Sequence, residues 1–232
     1  MANPVINILI VDDHKMVRNG IRKLLSEQVT MRVVGEAQSG EEAVKFVRSN
    51  TVDVVLMDIE MPPGYGGFEA TRRMLRFNPE LKIIILTAYN GDPFPARFMK
   101  VGAAGYLTKH CSSDEMIHAI RLANTGQRYM SPEVAQKLAI TVYSGKKESP
   151  IEQLSDRELQ IMLMITRGQK VQGISEELCL SPKTINSYRY RLFEKLSAKT
   201  DVELTHLAIR LGLVNIDPSL IIRDEVEAET GE

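Results

Sequence analysis

The sequence predicts a doubly wound α/β unit with five parallel strands, followed by an all-α unit of four helices that contains a helix-turn-helix. Three observations predict this. Five short β-branched and apolar runs alternate with helical periodicity over about the first 125 residues. Each run stops at a polar or charged side chain. From Leu154 onward the period is helical throughout.

The first run, 6–11, ends in Asp12-Asp13-His14, and Met16, Val17, Gly20, Ile21, Leu24 and Leu25 then follow at helical spacing. Val33 to Ala37 reads as a strand, and Ser39 with Glu42 three residues later forms a capping-box pattern for a helix to Val47. The run from Val52 to Met57, broken only by Asp53, reads as a strand buried on both faces and ends in Asp58. Met61-Pro62 and the glycines at 64, 66 and 67 turn the chain into a helix over 68–77. Lys82 to Thr87 is a fourth strand, a short helix covers 95–101, and Gly105 to Thr108 is a fifth strand that runs into Lys109. Ser112 caps a helix to about Thr125.

Residues 126–152 read as a linker, punctuated by Gly126, Pro132 and Ser149-Pro150, with one helix over 133–142. In the unit 153–215, Ser155 with Glu158 opens a helix to Thr166, and a short helix follows over 171–178. Ser181-Pro182 supplies both cap and first-turn proline for a helix to Leu196, and Asp201 starts a fourth. Residues 216–232 hold six acids against Arg223 alone, a net of −5, which leaves +4 on residues 1–215 out of the total of −1. That acidic tail is expected to be disordered. Cys111 and Cys179 match no ligand spacing, which fits a reducing compartment. No basic leader precedes an apolar stretch, and no run of about 18 apolar residues occurs. A soluble, cytoplasmic protein with no membrane partner is expected.

The strand ends bring Asp12, Asp13, Asp58, Thr87 and Lys109 to one edge of the sheet, where open α/β sheets place their ligands. Taken singly, each has an ordinary explanation as a cap, a turn or a solvated lysine. Their convergence at successive strand ends points to chemistry instead. Clustered carboxylates repel one another unless a cation sits among them, and Mg²⁺ suits oxygen ligands. A carboxylate in such a setting can act as a nucleophile toward phosphorus, with the Lys109 ammonium and Thr87 hydroxyl placed for the transferred oxygens.

Asp12-Asp13, Asp58 with Met61-Pro62, Leu86-Thr87-Ala88 and Gly105-Tyr106-Leu107-Thr108-Lys109 resemble the receiver domain of bacterial two-component response regulators over about residues 5–125. The resemblance implies a flavodoxin-like sheet with strand order 2-1-3-4-5. It also implies that Asp58 accepts a phosphoryl group from a sensor histidine kinase. By the same resemblance Asp13, Asp58 and the backbone carbonyl of Glu60 bind Mg²⁺, with Asp12 acting through water. Lys109 and Thr87 would then bind the phosphoryl group, and Tyr106 would turn inward as the switch. The loop between Met61-Pro62 and Gly67-Phe68-Glu69, which contains Pro63 and Tyr65, is one residue longer than the usual pattern.

In the helix 183–196, Ile185, Tyr188, Leu192 and Leu196 form an apolar stripe, and Lys183, Asn186, Ser187 and Tyr190 lie opposite, flanked by Arg189 and Arg191. Polar side chains of this kind read base edges while Lys and Arg hold phosphates. The modest net charge points to binding as a dimer. Leu154-Ser155-Asp156-Arg157-Glu158, Gly168, Ile174-Ser175, Leu180-Ser181 and Lys183-Thr184-Ile185 resemble the output domain of the NarL/FixJ (LuxR-type) class over about 150–213. That implies Asn186, Ser187 and Tyr190 in the major groove of double-stranded DNA. It places Lys170, Lys183, Thr184 and Arg191 on phosphates and gives the fourth helix the homodimer contact. The stretches 159–165 and 187–191 resemble the GacA/UvrY subgroup, which implies target genes for small regulatory RNAs. The reading is therefore a transcription regulator activated by phosphorylation at Asp58, not an enzyme with a separate substrate. An alternative is a Mg²⁺-dependent phosphohydrolase that uses Asp58, which would need a general acid such as Glu60 and a substrate-covering cap.

Overall fold

The computed structural model describes residues 5–59, 61, 66–88, 94–143, 150–211 and 213–214. The expected disordered tail, Glu60 and the lengthened loop at 62–65 lie outside these residues. Strands β1 (Ile6–Val11), β2 (Met31–Ala37), β3 (Val54–Met57), β4 (Lys82–Thr87) and β5 (Gly105–Thr108) alternate with helices α1 (Lys15–Ser26), α2 (Gly40–Ser49), α3 (Gly67–Phe77), α4 (Phe94–Val101) and α5 (Ser113–Asn124). All strand pairs are parallel, and the order is β2-β1-β3-β4-β5 with a sixth strand, β6 (Tyr129–Met130), beyond β5.

The period of two along the inner strands sorts the core into two layers. Leu9, Val11, Val55, Met57, Ile83 and Ile85 face α2, α3 and α4, whose Val44, Ala70 and Phe98 close that side. Ile8, Ile10, Val54, Leu56, Ile84 and Leu86 face α1 and α5, where Leu25 and Ile120 pack. Strands buried on both faces have no solvated side on which to alternate, which is why they read as continuous apolar runs. Asp53, the one polar residue in the run 52–57, accepts a hydrogen bond from Asn7 N at 2.7 Å just before β3.

The sequence predicts five strands and the structure has six. The difference lies in the segment read as linker. Tyr129 N donates to Ala104 O and Ser131 N to Tyr106 O, so two residues satisfy the outer edge of β5 that would otherwise stay unpaired. Helix α6 (Pro132–Tyr143) follows, then a 3₁₀ turn (Pro150–Gln153) and four helices, α7 (Asp156–Thr166), α8 (Val171–Glu177), α9 (Pro182–Leu196) and α10 (Asp201–Arg210). Ser155 and Glu158 form the full reciprocal capping box of α7. At α2 the pattern is shifted by one: Ser39 accepts from Glu42 N, but the Glu42 carboxylate reaches Gln38 N.

Ile161, Ile174, Ile185, Leu192, Leu204 and Ala208 close the helical core, and this cluster is continuous with the α2–α4 layer of the sheet. Buried Glu158 ties α7 to α9 through Lys195 Nζ at 2.7 Å. Burial pushes the Glu158 carboxyl up, but the Lys195 and Ser155 hydrogen bonds outweigh it and hold it below the usual carboxylate range.

Candidate functional site

Parallel strands deliver their carboxyl ends to the same edge, and here that edge carries Asp12 and Asp13 after β1, Asp58 after β3, Thr87 at the end of β4 and Lys109 after β5. Asp58 is 5% exposed. Its Oδ1 accepts from Ile59 N at 2.7 Å and its Oδ2 from Lys109 Nζ at 2.7 Å. Lys109 Nζ also lies 2.6 Å from Asp12 Oδ2, so one ammonium bridges two strand ends. Gly67 makes room for this corner: a Cβ there would stand 2.0 Å from Asp58 O, and its N–H bonds Ile59 O. Only glycine permits that approach.

Burial pushes the Asp58 carboxyl up to about 6; Lys109 opposes the shift and the Asp12 charge adds to it. Burial lowers the Lys109 ammonium, but Asp58 and Asp12 outweigh this and its pKa ends above the ordinary value. Asp12 Oδ1 accepts from His14 N at 2.8 Å. Asp12 Oδ2 and Asp13 Oδ1 are buried; Lys109 Nζ lies 2.6 Å from the first and His14 Nδ1 2.7 Å from the second. Ligand atoms of Asp12, Asp13, His14 and Asp58 all lie within 4.8 Å of one another. Carboxylate oxygens clustered this closely, two of them buried, fit a hard divalent cation, so the donor set suits Mg²⁺. Thr87 and Tyr106 are both buried, and the Tyr106 ring packs 6.3 Å from that of Phe98.

His14 has no role in the sequence reading, although its position after two aspartates is visible there. The Glu60 carbonyl lies outside the described residues.

The second group of residues is on α9. Ser181 accepts from Thr184 N, with Pro182 in the first turn. The α8–α9 turn is held by Ser175 Oγ to Leu180 O at 2.6 Å and by Arg157 to Leu178 O. Ile185, Leu192 and Leu196 are buried and Tyr188 is half-buried, which leaves Lys183, Ser187, Tyr190 and Arg191 exposed and Thr184 and Asn186 half-buried. Tyr190 is 71% exposed. Lys170, at the N-cap of α8, is also exposed. Arg191 stacks on Tyr188 at 4.4 Å. Arg189 is instead tied to Asp201 at 2.6 Å at the start of α10.

Residues 8–121 match the family described as response regulator receiver domain, and residues 152–208 match the family of bacterial regulatory proteins, luxR family. The chain is 56% identical to response regulator UvrY of Escherichia coli over 214 residues, covering 92% of this chain and 98% of that one. It is 53% identical to response regulator GacA of Pseudomonas syringae, covering 91% and 99%. Among solved structures, RcsB of Salmonella typhimurium superposes with a TM-score of 0.69 at 26% identity, covering 92% and 100%. RcsB bound to promoter DNA with a phosphomimetic superposes at 0.66 and 26% identity, again covering 92% and 100%.

Proposed function

The chain belongs to the two-component response regulators that join a receiver domain to a LuxR-family DNA-binding domain, and on that premise we propose how its residues work as a phosphorylation-activated transcription regulator. Asp58 takes the phosphoryl group of a sensor histidine kinase. A carboxylate oxygen attacks phosphorus, the P–N bond breaks with its electron pair on the kinase imidazole, and an acyl phosphate forms on Asp58. Lys109 neutralises charge at that edge, and the Thr87 hydroxyl stands at the end of the adjacent strand to meet the transferred oxygens. Mg²⁺ held by Asp13, Asp58 and the Glu60 carbonyl, with Asp12 acting through water, would supply further positive charge there. The acyl phosphate is lost slowly to water, and no separate substrate is turned over.

Tyr106, buried beside Phe98 of α4, is the switch residue. In the helical unit, Asn186, Ser187 and Tyr190 face the major groove, and Lys170, Lys183, Thr184 and Arg191 touch phosphates. The helix α10 supplies the homodimer contact, and its Val202 is exposed for it. The chain divides as receiver 1–125, linker 126–152, DNA-binding unit 153–215 and tail 216–232, with β6 adding an edge strand to the receiver sheet. The protein works in the cytoplasm, where kinase output and DNA meet.

The observation that carries this reading is the buried Asp58 carboxylate held between Ile59 N and Lys109 at the carboxyl end of β3. The phosphohydrolase alternative needs a cap over this edge, and the chain instead continues into a helix-turn-helix. Incubation with acetyl phosphate and Mg²⁺, followed by intact-mass measurement, tests the assignment. Wild type should gain one phosphoryl unit and Asp58→Asn none; an undiminished adduct on the variant would falsify it.

A further inference from the structure

The register of β1 with β2 and β3 ends at Val11, where the Asp12-Asp13-His14 turn begins. Arg18 reaches the Asp12 and Asp13 carbonyls of that turn. Its Nη1 donates to Asp12 O at 2.6 Å and to Asp13 O at 3.2 Å. Its Nε donates to Glu36 Oε2 at 3.0 Å, and Arg22 holds the other Glu36 oxygen. The Arg18 side chain is 12% exposed, so the fork is enclosed rather than a loose surface pair. Three elements meet at one guanidinium: the β1–α1 turn, α1 itself and β2.

The planar fork suits this task. It supplies several donors in fixed directions, and a lysine ammonium at the same place cannot match them. Glu36 takes up the guanidinium charge, so what Arg18 brings to the acidic edge is direction and not field. Peptide planes fixed at Asp12 and Asp13 also fix the directions in which their Cβ atoms leave the chain. The buried oxygens Asp12 Oδ2 and Asp13 Oδ1 stand on those side chains.

We infer that Arg18 is a positioning residue for the phosphoacceptor pocket: it clamps the Asp12 and Asp13 carbonyls, with Glu36 as its anchor, so that both carboxylates reach a divalent cation already arranged. This inference rests on the proposed reading of Asp12 and Asp13 as metal-facing groups. Partners that act behind the ligands of a metal commonly shift its affinity by about 10–100-fold.

The test uses the full chain. Mg²⁺ affinity is measured by calorimetric titration for wild type, Arg18→Ala, Arg18→Lys, Glu36→Gln and Asp13→Asn, alongside thermal melts in EDTA. Arg18→Ala and Arg18→Lys should both raise the Mg²⁺ Kd by about 10-fold. Glu36→Gln, which keeps the guanidinium but weakens its anchor, should raise it by a smaller factor. Phosphorylation by acetyl phosphate should be slowed at low Mg²⁺ and recover when Mg²⁺ is saturating. A merely structural arginine would lower the EDTA melt and leave Mg²⁺ affinity per folded molecule unchanged, and that result overturns the inference. Full rescue by Arg18→Lys would also overturn it, because charge alone would then suffice. If Arg18→Ala fails to fold, Arg18→Lys and Glu36→Gln decide. Asp13→Asn separates the two levels: undiminished Mg²⁺ binding in that variant defeats the metal reading itself, whereas its loss with normal binding in the Arg18 variants defeats only the clamp.

Discussion

At Asp58 the fold holds a carboxylate where burial disfavours its charge. Burial raises its pKa to about 6 from an ordinary value of 3.8, even with Lys109 at 2.7 Å. A raised acid stabilises the fold while it is protonated. That contribution is complete below about pH 4 and is lost as the pH rises through about 6. At pH 7 the ionised group therefore costs stability, by at most about 3 kcal/mol from the size of the shift. Asp58→Asn keeps the shape and removes the charge, so in EDTA it should be the more stable protein at pH 7, with the gap closing toward pH 4. Adding Mg²⁺ should stabilise wild type far more than the variant. Urea titrations from pH 4 to 8 check this, and a gap independent of pH would show that burial does not control this carboxyl. Asp58 was legible in the sequence because Asp12, Asp13, Thr87 and Lys109 end the neighbouring strands; alone, a carboxylate before a Met-Pro turn reads as an ordinary turn residue. Arg18 was not legible: its spacing in α1 reads as solvated surface until the fold brings Glu36 beside it.

Among the elements, α9 separates its work by face. The stripe of Ile185, Leu192 and Leu196 packs inward, and this fixes Tyr190, Ser187 and Lys183 outward. Cap and first-turn proline at Ser181-Pro182 make the start of this helix readable from the residues alone. The same logic could not find β6, because two residues carry no alternation and the pairing partner is distant in the chain. The exposed face predicts two distinct losses. Asn186→Ala should cost about 1–3 kcal/mol on the cognate site and little on random DNA. Lys183→Ala should weaken both DNAs alike and lower the salt slope by about one for each phosphate no longer held. Salt titrations on cognate and scrambled duplexes decide between them. If Asn186→Ala weakens both equally, α9 is docked in some other orientation.

Across the whole molecule, the sheet and the helical unit are joined by more than the connecting chain. Arg97 of α4 is 12% exposed, and its Nη2 donates to Ile151 O and to Leu154 O, each at 2.6 Å. Nη1 lies 3.6 Å from Asp156 Oδ1 at the start of α7. Around this contact, buried Phe94 and Phe98 belong to one apolar cluster with Ile151, Leu154 and Leu159. None of this was readable from the sequence, where each half specifies its own periodicity and nothing specifies their mutual face. The same helix α4 carries Phe98 against Tyr106, so the residue assigned as switch and the interface residue Arg97 share one short element. Removing the guanidinium takes a donor from Leu154 O, at about 1–3 kcal/mol if that carbonyl stays buried without another, while Ile151 O keeps the hydrogen bond from Leu154 N. Relaxation of the junction to let in water should be less costly than leaving Leu154 O unsatisfied. Arg97→Ala should therefore leave the receiver sheet intact and loosen only the junction. Hydrogen exchange should speed at amides of α4 and the first turn of α7, while β1, β3 and β4 keep wild-type protection. Small-angle scattering should show a larger radius of gyration. Uniformly faster exchange through the sheet would instead mean that Arg97 supports the receiver fold itself, and unchanged exchange at α4 and α7 would mean that the apolar cluster alone holds the two units together.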